Sequence, residues 1–158
     1  MTEKDFKQTL CGTAWVHSKA TNERMFSGSS GRLSKTVYKL FSTNAELTRA
    51  VRDCLQLSPK GDCANSPHGA IGEWDVSRMM NMDQTFAKAD SFNGDISGWD
   101  VSKVITMRGL FWDASSFNGD ISKWDLSSAL STCDMFRGAS KFNHDISKWD
   151  MSSMRLMD

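Results

Sequence analysis

One pattern of apolar and polar positions recurs every 25 residues through the second half of the chain. Tryptophan followed by aspartate marks the pattern at Trp74, Trp99, Trp124 and Trp149. An isoleucine three positions before each Trp and an apolar residue two positions after it keep the same step. A unit this short cannot bury an apolar face alone, whereas stacked copies bury it against each other. The pattern therefore predicts a repeat solenoid of about four repeats over residues 61–158, with the tryptophans as a structural ladder.

Within each repeat, the pattern predicts a short strand, a short helical arc and a turn. Ile96, Trp99 and Val101 alternate in part with Ser and Asp, which is typical of a strand with one buried face. Met107 and Phe111 stand four positions apart, the spacing of a helical face, and an Asn-Gly pair before the next strand favours a turn. We expect the strands of successive repeats to run parallel, about 4.8 Å apart.

A helix is predicted before the first repeat. Thr43 and Glu46 stand three positions apart, as in a capping box, and the residues after them place apolar side chains at helical spacing. We expect residues 43–60 to form a capping helix and loop at the N-terminal end of the stack, because an uncovered end would expose strand edge and core. Residues 1–42 show no repeat and are interpreted as a non-repetitive leader.

The opposite end of the stack is predicted to be open. Met151, Met154 and Met157 continue the apolar spacing of the last repeat, and no capping pattern follows them in the printed sequence. An open edge with flexible methionine side chains is a surface to which another protein can bind. The alternative is that these residues form a frayed tail or lie at a sequence boundary.

Trp112 departs from the repeat, because Ala87 and Arg137 occupy the equivalent positions of the neighbouring repeats. An aromatic side chain outside the ladder, on the surface of a repeat protein, is a candidate for partner binding, with Arg137 beside it. The alternative is a structural role, in which Trp112 folds across the next repeat and stacks on Arg137.

Charge and hydropathy exclude several classes of function. Lys and Arg balance Asp and Glu at 19 each, with a mildly basic N-terminal part and a mildly acidic repeat region, so no nucleic-acid partner is expected. The sequence has no apolar run of about 18 residues, so no transmembrane segment is predicted. Its N-terminal residues lack the apolar core of a secretory signal peptide.

Polar residues recur in columns without forming a catalytic constellation. Serines recur in every repeat, whereas a catalytic serine needs one site with a histidine in register, so no enzyme activity is expected. Two aspartate columns are expected either to accept main-chain hydrogen bonds at turns or to bind calcium. An asparagine column is expected to form a buried ladder that satisfies main-chain groups at turns. The asparagines are Asn93, Asn118 and Asn143. The aspartates are Asp95, Asp120 and Asp145 in one column and Asp75, Asp100, Asp125 and Asp150 in the other.

The cysteines allow one disulfide and indicate no metal site. Cys54 and Cys63 flank a short loop, and a disulfide between them would join the capping helix to the first repeat. The spacing of cysteines and histidines matches no zinc-binding pattern, so no metal or other cofactor is expected.

The repeat, written MxxxFxxAxxFNxDISxWDVSxV, resembles the 25-residue repeat of the BspA-like leucine-rich-repeat surface proteins, catalogued as domain of unknown function 285. The match is close at residues 86–107, 111–132 and 136–157 and looser at 61–82. The resemblance implies a leucine-rich-repeat-like solenoid with a non-catalytic protein-binding or scaffolding function, of the adhesion type, at the cell surface or after secretion. Because this chain has no signal peptide, the alternative is an accessory structural subunit of a larger intracellular or organellar assembly. In both cases we expect a protein partner at the open C-terminal edge.

Overall fold

A computed structural model describes residues 40–155 of the chain. In this part, the helices are α1 (Asn44–Leu57) and one turn of 3₁₀ helix at Ile71–Glu73, and the rest consists of turns, bends and isolated parallel bridges. None of the helices in residues 40–155 is long and apolar enough to cross a membrane. Almost all of the predicted leader at 1–42, and the predicted edge residue Met157, lie outside the described residues.

The helix α1 begins where the capping pattern predicts it. Thr43 is its N-cap, and the Thr43 hydroxyl oxygen accepts a hydrogen bond from the Glu46 N–H at 3.3 Å. The helix ends at Leu57, where the Ser58 N–H donates to the Cys54 carbonyl at 2.8 Å. One face of α1 is buried against the repeats. The buried residues of this face are Leu47, Ala50, Val51 and Cys54.

Equivalent positions of successive repeats lie side by side. Parallel bridges join Asn81 to Thr106 and Thr106 to Ser131, each across 25 residues. After each bridge the chain makes a run of turns, which we call an arc; the first arc is 82–89, the second 107–114 and the third 132–139. The arcs take the place of the predicted helical arcs. The prediction of a strand at Ile96, Trp99 and Val101 is wrong, because this stretch contains turns and the bridge lies beyond it, at Thr106. The leucine-rich-repeat-like class of the fold stays a prediction.

Main-chain N–H groups in the first and second arcs alternate between two kinds of acceptor. In the first arc the N–H groups of Gln84 and Phe86 donate to the carbonyls of Arg108 and Leu110 in the next arc, both at 2.9 Å. The N–H groups between them close turns within the arc, as Ala87 N–H does on the Gln84 carbonyl at 3.1 Å. This alternation explains why neither a continuous helix nor a continuous strand forms, since each needs one uniform pattern of bonds.

A left-handed residue occurs at the same position of every arc. Gln84, Gly109 and Asp134 have φ values of 56°, 56° and 54°. A second left-handed position follows four residues later in each arc, at Lys88, Asp113 and Gly138. Left-handed backbone is tolerated best by Gly, Asn and Asp, and it reverses the direction of the main-chain groups within the arc. The repeat therefore needs both positions in order to direct alternate N–H groups at its neighbour.

Stacked aromatic rings form the core. Phe86, Phe111 and Phe136 follow one another with ring centroids 5.5 and 5.8 Å apart. A parallel column of Phe92, Phe117 and Phe142 has spacings of 5.6 and 5.8 Å. Rings of the two columns also stack within each repeat, at 4.3, 3.9 and 4.1 Å. The columns bury apolar area that a single repeat could not bury alone.

The tryptophan column joins each repeat to the one before it by a buried hydrogen bond. The Trp99 indole N–H donates to the Ile71 carbonyl at 2.9 Å, and Trp124 donates to Ile96 at 3.2 Å. Trp149 donates to the Ile121 carbonyl at 3.1 Å. A buried indole N–H needs an acceptor, and each of these Trp side chains finds it at the Ile carbonyl of the preceding repeat. The same hydrogen bond therefore requires both Trp and Ile to recur every 25 residues.

The N-terminal end of the stack is covered by α1. The Asn44 side-chain amide donates to the Asp83 carbonyl at 2.9 Å, the position that a preceding arc would otherwise bond. The Asn44 amide oxygen accepts from the hydroxyls of Thr48 and Thr85 at 2.9 and 3.1 Å. The structure also joins Cys54 and Cys63 as a disulfide, with Cα atoms 5.3 Å apart, which ties α1 to the start of the repeat region.

We expect Trp124→Phe to lower the free energy of unfolding by roughly 2–4 kcal/mol, because it leaves the buried Ile96 carbonyl without its donor and removes packing volume. Denaturant titration followed by circular dichroism measures this change. Trp112→Phe is the matched control and is expected to lower the free energy of unfolding by less than about 1 kcal/mol. Trp112 is half-buried and lies outside the ladder, and phenylalanine keeps part of its contacts. Equal losses in the two variants would contradict the role assigned to the Trp124 bond.

Candidate binding surface

Core side chains become exposed at the C-terminal end of the stack. Phe111 is fully buried, whereas Phe136, at the same position one repeat later, is half-buried. Leu126 is 1% exposed and its successor Met151 is 36% exposed. The half-buried Ile146 follows Ile121 in the same way. Within residues 40–155, the apolar side chains that the inner repeats use to contact one another are thus less covered at this end.

These side chains border an open depression of about 670 Å³. We call this surface the C-terminal face, defined by Phe136, Ile146, Trp149 and Met151. Met154, which was predicted as part of the same surface, is half-buried and packs against the core, and its sulfur accepts from the Thr132 hydroxyl at 3.3 Å. Of these two methionines, Met151 is therefore the exposed side chain, and Met154 has a partly structural role.

Trp112 and Arg137 line a second cavity, of about 450 Å³, together with Arg108 and Cys133. We call it the Trp112 cavity. Trp112 is half-buried, and Lys88 of the preceding arc lies over its ring, with Nζ 5.6 Å from the ring centroid. Arg137 instead approaches Asp134 at 3.5 Å on an exposed surface, a contact that contributes little to stability. The alternative in which Trp112 stacks on Arg137 is therefore replaced by a cation–π contact with Lys88.

The C-terminal face and the Trp112 cavity adjoin each other. Asp134 and Arg137 line both depressions. Sequence reasoning missed Lys88 and Arg108, because neither shares a column with Trp112. The pairing of adjacent arcs places them there, since the Lys88 N–H donates to the Trp112 carbonyl at 2.6 Å.

The asparagine ladder lies at the surface. The Asn93 amide oxygen accepts from the Asn118 N–H at 2.8 Å, and the Asn118 amide oxygen accepts from the Asn143 N–H at 3.0 Å. These bonds satisfy main-chain groups of the next repeat, as expected. The expectation that the ladder is buried is wrong, since all three asparagines are exposed. The preceding phenylalanine of each repeat points into the core, which directs the asparagine outward.

Both aspartate columns form hydrogen-bonded turns with the serine two residues later. The Asp95 carboxylate accepts from the Ser97 N–H at 3.0 Å and from its hydroxyl at 2.7 Å, and Asp100 binds Ser102 in the same way. The described part of the chain holds no group of three His, Cys, Asp or Glu placed to bind a metal ion. The serine contacts confirm the expectation that the carboxylates accept main-chain hydrogen bonds at turns.

The serine donors lower the pKa of these carboxyl groups below the ordinary aspartate value, because both stabilise the charged form. The hydroxyl has the larger effect on the pKa in most of the turns and the main-chain N–H has it at Asp145. The affected carboxyl groups are Asp95, Asp100, Asp120, Asp125, Asp145 and Asp150. They remain charged down to acidic pH on an exposed surface.

Comparison with known proteins identifies one family. A family profile described as "Mycoplasma protein of unknown function, DUF285" matches residues 58–158. No curated protein matches the chain. No solved structure matches it either.

We expect the free energy of unfolding to fall as the pH decreases below the ordinary aspartate pKa. A carboxyl group whose pKa is lower in the folded chain stabilises the fold above its unfolded value of about 3.9, and this contribution is lost as the pH falls through the folded value. Denaturant titrations near pH 5 and near pH 3 measure the difference. The double variant Ser97→Ala and Ser122→Ala, which lacks the hydroxyl donors of Asp95 and Asp120, should show a smaller difference. An unchanged difference would refute this origin of the pH dependence.

Proposed function

The chain belongs to the family described as Mycoplasma protein of unknown function, DUF285, and from this premise we propose that it is a non-catalytic protein-binding module. Its repeats form a short leucine-rich-repeat-like solenoid, related to that of the BspA-like surface proteins. A protein partner binds at the C-terminal face and extends onto the Trp112 cavity.

The observation that carries the proposal is the loss of burial at the C-terminal face. Leu126 is 1% exposed, whereas Met151 at the equivalent position is 36% exposed, and Phe136 and Ile146 are half-buried where their predecessors are buried. A surface built from the residues of a core cut in half is typical of stable protein–protein interfaces. Burial of apolar area at roughly 25 cal/mol per Å² supplies the driving force.

The adjoining Trp112 cavity supplies side chains that dominate many interfaces. Trp and Arg are enriched among residues whose truncation costs most in binding energy, and they act best near the centre of a contact. Trp112 is half-buried and therefore already held in position, and Arg137 lines both depressions. A partner that covers the C-terminal face would reach Arg137 first and Trp112 beyond it.

Two observations support a cell-surface or secreted location. The resemblance to BspA-like proteins favours a cell-surface or secreted protein. The Cys54–Cys63 disulfide also favours an oxidising compartment, because such bonds are rare in reducing ones. Mass spectrometry after alkylation of protein taken directly from its source tests the disulfide.

A second candidate function is that of an accessory structural subunit. The apolar character of the C-terminal face favours it, because obligate interfaces are more apolar than transient ones. Native size-exclusion of source extract with immunodetection separates the two candidates. Elution with a large assembly in fixed stoichiometry supports the subunit, and elution near 17.7 kDa supports the adhesion-type module.

We expect Met151→Lys to abolish capture of the partner from source extract, because it places a charge in the apolar contact. Met80→Lys is the matched control, since Met80 is 58% exposed and lies away from the C-terminal face. Quantitative affinity capture of both variants beside the unaltered chain measures the effect. Capture that is equal in the two variants would place the partner elsewhere on the molecule.

We expect Trp112→Ala to weaken partner binding by roughly thirtyfold or more, the effect of losing about 2 kcal/mol at a central interface residue. The variant should remain folded, because Trp112 lies outside the buried core. Lys88→Ala, which removes only the cation over the ring, should leave binding nearly unchanged. If Trp112→Ala unfolds the protein, the residue is structural and its role in binding is wrong.

A further inference from the structure

The Trp112 cavity forms because the second arc departs from its neighbours at two positions. Gly109 occupies the first left-handed position, where Gln84 and Asp134 carry side chains at nearly the same φ. The backbone therefore does not require glycine there, and what Gly109 adds is empty space. A Cβ atom at Gly109 would lie 3.4 Å from Gln84 Cγ and 3.5 Å from Trp112 Cβ, so a longer side chain would extend between these two cavity-lining residues. Trp112 is the second departure, because Ala87 is its counterpart in the first arc.

The chain itself holds the Trp112 ring in place. Lys88 Nζ lies 5.6 Å from the ring centroid, and the Lys88 N–H donates to the Trp112 carbonyl at 2.6 Å. The ring is half-buried at the side of the cavity. A ring that is already ordered loses little further freedom when a ligand packs on it, which favours binding. The space at Gly109 leaves room for such a ligand.

Two arginine side chains bring positive charge to the same cavity. Arg108 and Arg137 both line it, and both are exposed. Arg137 contacts the Asp134 carboxylate at 3.5 Å, with 67% and 52% of the two side chains exposed, so exchange for another carboxylate costs little. Within residues 40–155, the Arg108 guanidinium has no ion-pair partner. Guanidinium groups bind carboxylates through paired, charge-assisted hydrogen bonds.

The Asp83 carboxylate, which also lines the cavity, is held by other donors. Its Oδ1 accepts from the Thr106 hydroxyl at 2.6 Å and from the Arg108 main-chain N–H at 2.8 Å. Both donors are uncharged and belong to the next repeat, so Asp83 serves the junction between the two repeats. In the part of the chain that the structure describes, one guanidinium group of the cavity is thus left without a carboxylate contact.

This positive charge contrasts with the rest of the repeat surface. Residues 61–155 hold thirteen Asp and Glu against nine Lys and Arg, and three of those nine, Lys88, Arg108 and Arg137, lie beside Trp112. The two aspartate columns are exposed along the stack. An acidic segment is therefore repelled along the columns and attracted at the cavity, whereas a basic segment has the opposite preference.

We propose that the Trp112 cavity binds an acidic peptide segment of the protein partner. A glutamate or aspartate side chain of the segment pairs with Arg108 and Arg137, and an adjacent apolar side chain packs on Trp112 in the space at Gly109. This inference rests on the proposed binding function and specifies the chemistry of the partner at that same site.

The probe is a terminally blocked peptide with the sequence Gly-Glu-Phe-Glu-Gly. Its matched controls are Gly-Gln-Phe-Gln-Gly and Gly-Lys-Phe-Lys-Gly, which keep the phenylalanine and remove or reverse the charge. The indole N–H signal of Trp112 in the full chain is followed by nuclear magnetic resonance and is assigned with Trp112→Phe. We expect the glutamate peptide to bind about tenfold more tightly than the glutamine peptide, and the lysine peptide to bind most weakly. An ionic strength of about 1 M should remove most of this preference, because it screens the charges.

Arginine variants test whether the charge acts at this cavity. Arg108→Gln and Arg137→Gln should each weaken binding of the glutamate peptide by about fivefold or more and leave binding of the glutamine peptide unchanged. Lys103→Gln is the matched control, since Lys103 is exposed and does not line the cavity. It should change the binding of neither peptide.

A glycine variant tests the space. Gly109→Gln should abolish binding of the glutamate peptide, because the new side chain fills the cavity. The variant should fold, since Gln84 adopts the same φ at the equivalent position, and circular dichroism checks this. Gly98→Gln is the control, because a Cβ atom there would have its nearest neighbour, the Gly72 carbonyl oxygen, at 4.0 Å. If Gly109→Gln does not fold, the arginine variants still decide the outcome.

Each contrary result overturns the inference. A glutamate peptide that does not bind, or that binds no better than the glutamine peptide, shows that the cavity does not select an acidic segment. Tighter binding of the lysine peptide assigns the cavity to a basic segment. A Trp112 signal that shifts with rising protein concentration in the absence of peptide assigns it to a second copy. The proposed function fails separately, if Met151→Lys and Met80→Lys capture the natural partner equally while the glutamate peptide binds as expected.

Discussion

The fold depends on the hydrogen bonds that run from each arc to the next. An arc closes its own turns with every second N–H group and needs a neighbour for the others. A single repeat would leave these donors beside exposed rings, and both costs disappear only when an equivalent arc lies alongside. Because the donors and acceptors must match along the arc, each repeat must have the same length and the same left-handed positions. The 25-residue period of the sequence meets this requirement.

The same requirement explains the recurrent polar residues. The serine beside each aspartate completes a turn, and the amide of each asparagine accepts a main-chain N–H from the following repeat. These side chains have the same structural role in every repeat. The repeats differ from one another at the Trp112 position and at the two ends of the stack, and these places are therefore the candidates for function.

The two ends differ because the hydrogen bonds between arcs run in one direction, from N–H groups of the earlier arc to carbonyls of the later one. At the N-terminal end, the side-chain amide of Asn44 in α1 donates to the Asp83 carbonyl. At the opposite end, among the residues that the structure describes, Met151 is exposed where the equivalent Leu126 is buried. Arg137, which lines both the C-terminal face and the Trp112 cavity, makes the two one continuous region.

The sequence by itself determined the period, the tryptophan ladder, the start of α1 and Met151 as an exposed apolar residue of the last repeat. These features follow from local chemistry or from strict spacing, which a single chain displays. Only the tertiary structure decided which residues meet across repeats. In the structure, Lys88 lies over Trp112, Asn93 and its equivalents are exposed, and turns occupy the positions where helical arcs were expected. The direction of the hydrogen bonds between arcs was also decided by the tertiary structure, because the orientation of each N–H group depends on the neighbouring repeat.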